Sequence, residues 1–388
     1  MARQLTTLVV DDSLTYRGIL KRVVERLDGV ELIGMAPNGR VALGKMGARV
    51  PDLVMLDVEM PEMDGLATLK QIHERYPRVD VVMVSGASRS NADLVMQCLE
   101  AGALDFVTKP VAGDPGMTAW DRLLADLAPI VRTVVAKRLL EPTRRASVEA
   151  PAVSGSAGPV VAPPRPPVVP ARPAALARPD LIAIGASTGG PAALTRLLTD
   201  LGPGLPVPLL IVQHMPAVFT ESLAAQLTRS TGIDVRQADH GDRLVPGRAL
   251  LAPGGRHLRV EGDHVILDDG PKVNECRPAV DVLFGSLAQT FKGRVLSVVL
   301  TGMGRDGADG VAALKGVTKG SQGHACLVQD NATSVVYGMP RAVAERGLAD
   351  EVLPLEVIGA RIRGLIDGVR PGQVPRGHAR ARTLEVRP

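Results

Sequence analysis

Along the first 140 residues the apolar positions fall in short, unbroken runs separated by amphipathic stretches. Leu5-Thr6-Thr7-Leu8-Val9-Val10, Leu53-Val54-Met55-Leu56 and Val81-Val82-Met83-Val84 are too short for buried helices, and their β-branched residues suit strands. Residues 14–27, 65–75 and 91–101 carry helical spacing between them. A short strand at 104–107 and a helix near 120–139 complete the unit. Strands that are apolar throughout belong to sheets covered on both faces. The alternation of strand and helix predicts an α/β unit with a doubly wound parallel sheet.

The second half repeats this pattern. Leu181-Ile182-Ala183-Ile184, Leu209-Leu210-Ile211-Val212 and Val295 to Leu300 read as buried strands. Helices are expected at 191–200, opened by Pro191 in the first turn, at 279–291, near 309–316 and at 354–366. Segment 248–268 alternates around Glu261-Gly262-Asp263, which predicts an antiparallel hairpin inserted in a mostly parallel sheet.

Between the halves the pattern breaks down. Segment 141–179 holds ten of the 31 prolines and few large apolar residues, so it can build no core. It reads as an extended linker, able to span roughly 100 Å if straight. The expected organisation is therefore a first domain over 1–140, a Pro/Ala-rich linker over 141–179, a second domain over 180–369 and a basic, disordered tail over 370–388.

Charge follows this division. Segments 141–179 and 370–388 carry net charges of +3 and +4, whereas the whole chain carries +4, which leaves the two domains at −3. The basic character sits in linker and tail and builds no folded nucleic-acid surface. Aromatics make up only 2% of the chain, so the cores must be aliphatic. Cys98, Cys276 and Cys326 lie far apart, in no metal-ligand or disulfide spacing. No apolar run reaches the roughly 18 residues of a membrane span, and residues 1–7 lack the apolar run of a signal peptide. A cytoplasmic protein, not an integral membrane protein, is expected.

Charged residues in the first unit gather at strand ends. Asp11 and Asp12 follow the first strand, Asp57 ends the second that is legible, Ser85 ends the third, and Lys109 follows the fourth. In a doubly wound sheet these ends converge. Three carboxylates together call for a cation, and oxygen-only ligands favour Mg²⁺. The hydroxyl and the ammonium suit phosphoryl oxygens, and an aspartate beside Mg²⁺ can accept a phosphoryl group. Taken singly, Asp11 and Asp12 could be strand-end caps and Asp57 a surface acid.

With VDDS (10–13), LDVEMPEMDG (56–65), SG (85–86) and TKP (108–110), residues 4–125 resemble the bacterial response-regulator receiver family. The resemblance implies a flavodoxin-like fold with Asp57 as phosphoacceptor. It implies Asp11, Asp12, Asp57 and the Glu59 carbonyl as Mg²⁺ ligands, and Ser85, Lys109 and Phe106 as the residues that respond to phosphorylation.

In the second unit a strand, then Gly185-Ala186-Ser187-Thr188-Gly189, then a helix fits G-x-S-x-G in the setting of a nucleophile elbow. His214 follows the strand at 209–212, and Asp306 follows the strand at 295–300. Three strand-end residues of one sheet can form a serine–histidine–aspartate set. Their order differs from that of α/β-hydrolases, which points to a different fold. Alternatives stay open on spacing alone. Gly185–Gly190 could cradle phosphate, Asp306 could be a turn residue, and His240 and His257 are rival bases.

With IGASTGGP (184–191), QHMP (213–216), RPAVDVLF (277–284), LTGMGRDGADG (300–310) and SVVYGMP (334–340), residues 180–368 resemble the catalytic domain of the CheB family of chemotaxis methylesterases. The resemblance implies Ser187 as nucleophile, His214 as base, Asp306 as its orienter and the Met303 N–H as oxyanion donor, with no cofactor in this domain. It implies demethylation of glutamate methyl esters, and deamidation of selected glutamines, on chemoreceptors. A histidine kinase would be the phosphodonor, the receiver would cover the catalytic face until phosphorylated, and the protein would be a monomer. Cys276 stands where the family carries histidine and the 316–324 loop is slightly long; both are expected to lie clear of the triad. Two other readings persist: a phosphorylation-controlled docking protein, and a serine hydrolase acting on another ester.

Overall fold

The computed structural model describes residues 4–110, 118–145, 176–316 and 323–368. Most of the expected linker, the basic tail and most of the 316–324 loop lie outside the described residues.

The first unit runs β1 (Leu5–Val10), α1 (Leu14–Arg26), β2 (Val30–Ala36), α2 (Gly39–Ala48), β3 (Leu53–Asp57), α3 (Gly65–Arg75), β4 (Asp80–Gly86), α4 (Arg89–Glu100), β5 (Asp105–Lys109) and α5 (Ala119–Arg145). Among the described residues its strands form one parallel sheet in the order β2-β1-β3-β4-β5. Strand β2 and helix α2 were not legible in the sequence. Strand β2 is an edge strand with mostly half-buried positions and Gly34 in its middle. Helix α2 contains Gly39, Gly44 and Gly47, each costing about 1 kcal/mol of helix propensity, and is held by buried Ala42 and Met46. Helix α5 continues to Arg145, into the segment read as linker.

The second unit runs β6 (Leu181–Ala186), α6 (Gly190–Leu201), β7 (Leu209–Gln213), α7 (Ala217–Thr231), β8 (Asp234–Gln237), β9 (Arg248–Leu251), β10 (His257–Glu261), β11 (His264–Asp268), α8 (Val280–Thr290), β12 (Val295–Val299), α9 (Ala308–Gly316), β13 (Ala325–Gln329), α10 (Met339–Glu345), β14 (Glu351–Leu353) and α11 (Leu355–Asp367). Among the described residues seven strands form a parallel sheet in the order β14-β13-β12-β6-β7-β9-β8, and β10 and β11 pair antiparallel as the expected hairpin. The sheet grows in opposite directions from β6, so the crevice beyond its carboxyl end is a switch point where ligands bind in such folds.

The two units are packed together. Phe106 of β5 lies on Phe219 of α7, ring centroids 4.6 Å apart at 52°. One buried apolar cluster includes Met96 and Leu99 of α4 together with Leu223 and Leu227 of α7. At the rim, Ser230 Oγ donates to Glu100 Oε1 at 3.2 Å, and Arg89 faces Glu221 at 3.6 Å across an exposed gap.

Candidate active site and phosphoacceptor pocket

The receiver pocket is made by register. Val10 of β1 pairs with Leu56 of β3, so Asp11 lies beside Asp57, while the β4–β5 ladder sets Ser85 against Thr108 and Gly86 against Lys109. The Lys109 ammonium reaches Asp57 Oδ2 and Asp11 Oδ2, both at 2.7 Å. Tyr16 supports it, ring centroid 4.8 Å from Nζ. Burial pushes the Asp57 carboxyl up to about 6 although Lys109 opposes it. Gly65 lets the following helix close on the acceptor, since a Cβ there would fall 2.3 Å from the Asp57 carbonyl oxygen.

Asp11, Asp12 and Asp57 each offer a carboxylate oxygen within 4.8 Å of the others. Asp11 Oδ2 is buried and, beyond its ion pair with Lys109, unsatisfied. An all-oxygen set with an unsatisfied buried oxygen fits a hard divalent cation such as Mg²⁺. Glu59 lies on the loop after β3, its side chain exposed. Ser85 Oγ donates to the Gly86 carbonyl at 3.1 Å. Phe106 is turned toward the second domain, against Phe219.

In the second domain the β6–β7 ladder pairs Ala186 with Gln213, which places Ser187 and His214 on adjacent strand ends. Gln213 ties them further, its Nε2 donating to the carbonyls of Ser187 at 2.9 Å and His214 at 3.1 Å. Ser187 packs on the loop after β12: a Cβ on Gly302 would fall 2.7 Å from Ser187 Cβ. Met303 follows, and among the described residues no backbone carbonyl accepts its N–H. The 334–340 segment braces this loop, with Val336 O accepting from Gly302 N at 3.0 Å and Met339 N donating to Gly302 O at 2.8 Å.

Asp306 is buried, and its Oδ2 accepts from His214 Nε2 at 2.8 Å. The same carboxylate accepts the N–H groups of Val280 (2.6 Å) and Asp281 (3.0 Å) at the start of α8, and Asn274 Nδ2 at 3.1 Å. A helix amino terminus suits an anion, which explains why the 277–284 segment belongs to the site. Burial works against the Asp306 charge, but His214 and these amides hold the carboxyl below its usual range. Burial likewise opposes charge on His214, yet Asp306 and Cys276 push it up to about 9.

The rival histidines have structural partners. His257 Nε2 meets the Pro271 carbonyl at 2.9 Å while its Nδ1 accepts from Ala279 N at 3.2 Å, and His240 Nδ1 accepts from Leu267 N at 3.3 Å. The expectation for Cys276 is corrected: its Sγ lies 3.5 Å from His214 Nδ1, against the triad. A turn does this. Val273 and Cys276 exchange both backbone hydrogen bonds (3.1 and 2.9 Å) around Asn274 and Glu275, whose φ angles are +50° and +61°. That is the pattern of a type I′ turn. It sends Asn274 to Asp306 and Cys276 to His214, a convergence that residue spacing alone could not reveal.

Receiver and site meet directly. Asp105 of β5 is buried beside Thr188 and Gly189, the residues just after Ser187, whose polar groups favour its charge against burial.

Fold and site together define a receiver domain joined to a parallel-sheet domain with a serine–histidine–aspartate constellation. Residues 7–119 match the response regulator receiver domain family, and residues 182–362 match the CheB methylesterase family. The chain is 39% identical to the protein-glutamate methylesterase/protein-glutamine glutaminase of Maricaulis maris, over 92% of this chain and 94% of that one. It is equally 39% identical to the protein of that name from a Nocardioides species, over 96% and 98%. The solved CheB methylesterase catalytic domain of Thermotoga maritima is 37% identical, covering 48% of this chain and 98% of that one at a TM-score of 0.46. The chain belongs to the CheB family of protein-glutamate methylesterases/protein-glutamine glutaminases.

Proposed function

We propose that this protein is a phosphorylation-activated methylesterase that hydrolyses glutamate methyl esters on chemoreceptors, releasing methanol, and deamidates selected receptor glutamines. The observation that carries the chemistry is the buried Asp306 carboxylate bonded to His214 Nε2 at 2.8 Å, on the strand end next to that of Ser187. Asp306 fixes the tautomer, so Nδ1 is the basic nitrogen. Ser187 Oγ attacks the ester carbonyl as His214 Nδ1 takes its proton, and Asp306 stabilises the imidazolium that forms. The Met303 N–H, with the backbone near Thr188, stabilises the oxyanion. His214 then protonates the leaving alkoxide, and water, deprotonated by the same nitrogen, resolves the acyl-enzyme. With a glutamine substrate the leaving group is ammonia. No cofactor takes part in this domain.

In the receiver, Asp57 is the phosphoacceptor and a histidine kinase the phosphodonor. Asp11, Asp12, Asp57 and the Glu59 carbonyl would hold Mg²⁺, which supplies charge neutralisation for the incoming phosphoryl group. Lys109 binds phosphoryl oxygens, and Ser85 and Phe106 respond. The contact of β5 with the Ser187 loop supports a receiver that covers the active site until phosphorylated. Phosphorylation adds charge at Asp57 and shifts the population toward an open form. The proposed domain limits are 1–140, 141–179, 180–369 and 370–388, with helix α5 running past the first of them to Arg145. The protein works as a cytoplasmic monomer, and no described helix is long and apolar enough to cross a membrane.

The test is methanol release from a methylated receptor fragment, with and without a small-molecule phosphodonor. Activity should rise with the phosphodonor and disappear in Ser187→Ala, since losing a triad member costs about 10⁴–10⁶ in rate. A Ser187→Ala protein retaining a tenth of wild-type activity would overturn the assignment.

A further inference from the structure

Asp306 occupies Nε2 of His214 at 2.8 Å, which leaves Nδ1 as the nitrogen that can serve Ser187. That nitrogen already has a neighbour, the half-buried Cys276 Sγ at 3.5 Å. We propose that Cys276 is a positioning residue that acts on Ser187 through His214, sharing Nδ1 with the serine and holding the imidazole in register with Asp306. The proposal rests on the reading of Ser187, His214 and Asp306 as the catalytic set.

The chemistry follows from the donor inventory of the two side chains. In the neutral ring Nε2–H donates to Asp306, and the Nδ1 lone pair accepts the thiol S–H. In the imidazolium both nitrogens donate, and sulfur becomes the acceptor. The thiol therefore accommodates both protonation states. It is a soft, long contact, weak enough for a serine hydroxyl to displace when substrate is present. The Val273–Cys276 turn fixes it, because Asn274 of the same turn is bonded to both Asp306 Oδ1 (3.1 Å) and Asp281 Oδ2 (2.7 Å). Movement of Cys276 is thus tied to the carboxylate on the other side of the imidazole.

Among the described residues, Asp306 and Cys276 are the titratable groups that act on His214. Asp306 faces it from the loop after β12 and Cys276 from the turn, while Asp281 of α8 and Arg305 lie behind, both on Asn274. Burial opposes the imidazolium, and Asp306 and Cys276 both favour it, with the outcome about 9. The thiol is one of the two groups that favour the charged ring. Removing it should release the base at lower pH.

Two readouts on the full-length protein test this. The first is the pH profile of kcat/KM for methanol release by wild type, Cys276→Ala and Cys276→Ser. The acid limb should move down by about half a unit or more in Cys276→Ala, raising kcat/KM about threefold below the limb, and by less in Cys276→Ser. KM should stay unchanged. The second is NMR titration of the His214 ring in Ser187→Ala with and without Cys276→Ala, which needs no turnover and should show the same downward shift. An unmoved titration and limb would overturn the proposal, as would a uniform loss of rate at every pH with a raised KM. If Cys276→Ala lacks a cooperative thermal transition, Cys276→Ser carries both measurements, and an unmoved titration in it is equally fatal. Activity surviving in Ser187→Ala would instead sink the triad reading, whatever His214 does.

Discussion

Asp105 of the receiver lies against Thr188, the residue after Ser187, close enough for that side chain to favour the charged carboxylate. A carboxylate of the regulatory domain thus sits at the amino terminus of α6, on the loop that presents the nucleophile. Burial pushes this carboxyl up to about 7, although the Phe106 N–H donates to it and Thr188 and Gly189 lie close by. In the closed arrangement it therefore binds its proton more tightly than when exposed. Its contribution to closure is complete below the ordinary value of 3.8, declines as pH rises toward about 7, and is gone above it. Small-angle scattering of the unphosphorylated protein should show the compact population falling between about pH 4 and pH 7, by up to about tenfold per unit, and level above pH 7. Asp105→Asn cannot ionise and should flatten that dependence. A wild-type curve that is already flat would refute the link.

Phe106 and Phe219 form the aromatic contact of the interface, 4.6 Å between centroids. Such pairs are worth about 0.5–1.5 kcal/mol beyond their buried area. Phe106→Ala should therefore raise unphosphorylated esterase activity about two- to tenfold by favouring the open form. The exposed Arg89–Glu221 pair at 3.6 Å is worth little by comparison, and Arg89→Ala should move basal activity by less than about twofold. If the two variants behaved alike, the aromatic contact would not be what holds the domains together.

Asn274 separates two acids, donating to Asp281 Oδ2 at 2.7 Å and Asp306 Oδ1 at 3.1 Å. Burial, with Asp306 nearby, lifts Asp281 to about 6 despite the amides that donate to it. Asn274→Ala leaves both carboxylates short of a donor in a buried setting, a cost of about 1–3 kcal/mol. It should lower kcat about tenfold with little change in KM, since the loss falls on the orientation of His214 and not on substrate. Asn274→Asp adds a third carboxylate and should cost more. Steady-state methanol release on both variants decides the order.

Much of this was legible because strand-end chemistry is written beside apolar runs. Asp11, Asp57, Ser187, His214 and Asp306 each follow or end a recognisable strand, and parallel register does the rest. What was not legible depends on register or on turns. Strand β2 hid behind Gly34 and half-buried positions, and β8, β13 and β14 are short strands of three to five residues. Cys276 and Asn274 were missed as site residues because a two-residue turn, with no glycine to announce it, folds them onto residues far away in sequence. The α8 amino terminus behind Asp306 was quoted only as a motif, since a helix dipole aimed at a distant carboxylate leaves no local pattern.

That unannounced turn yields the last prediction. Type I′ turns need φ above zero at both central positions, which glycine meets without strain. Asn274 tolerates φ +50° through its short polar side chain, but Glu275 at φ +61° does not share that tolerance. Holding an ordinary residue there costs about 1–2 kcal/mol, partly offset by the greater freedom of glycine in the unfolded chain. Glu275 makes none of the described bonds to His214, Asp306 or Cys276 side chains. Glu275→Gly should therefore stabilise the catalytic domain by about 1 kcal/mol, raising its Tm by about 2–4 °C. Differential scanning calorimetry would reveal it, and an unchanged or lower Tm would mean that the strain at Glu275 is relieved elsewhere in the turn.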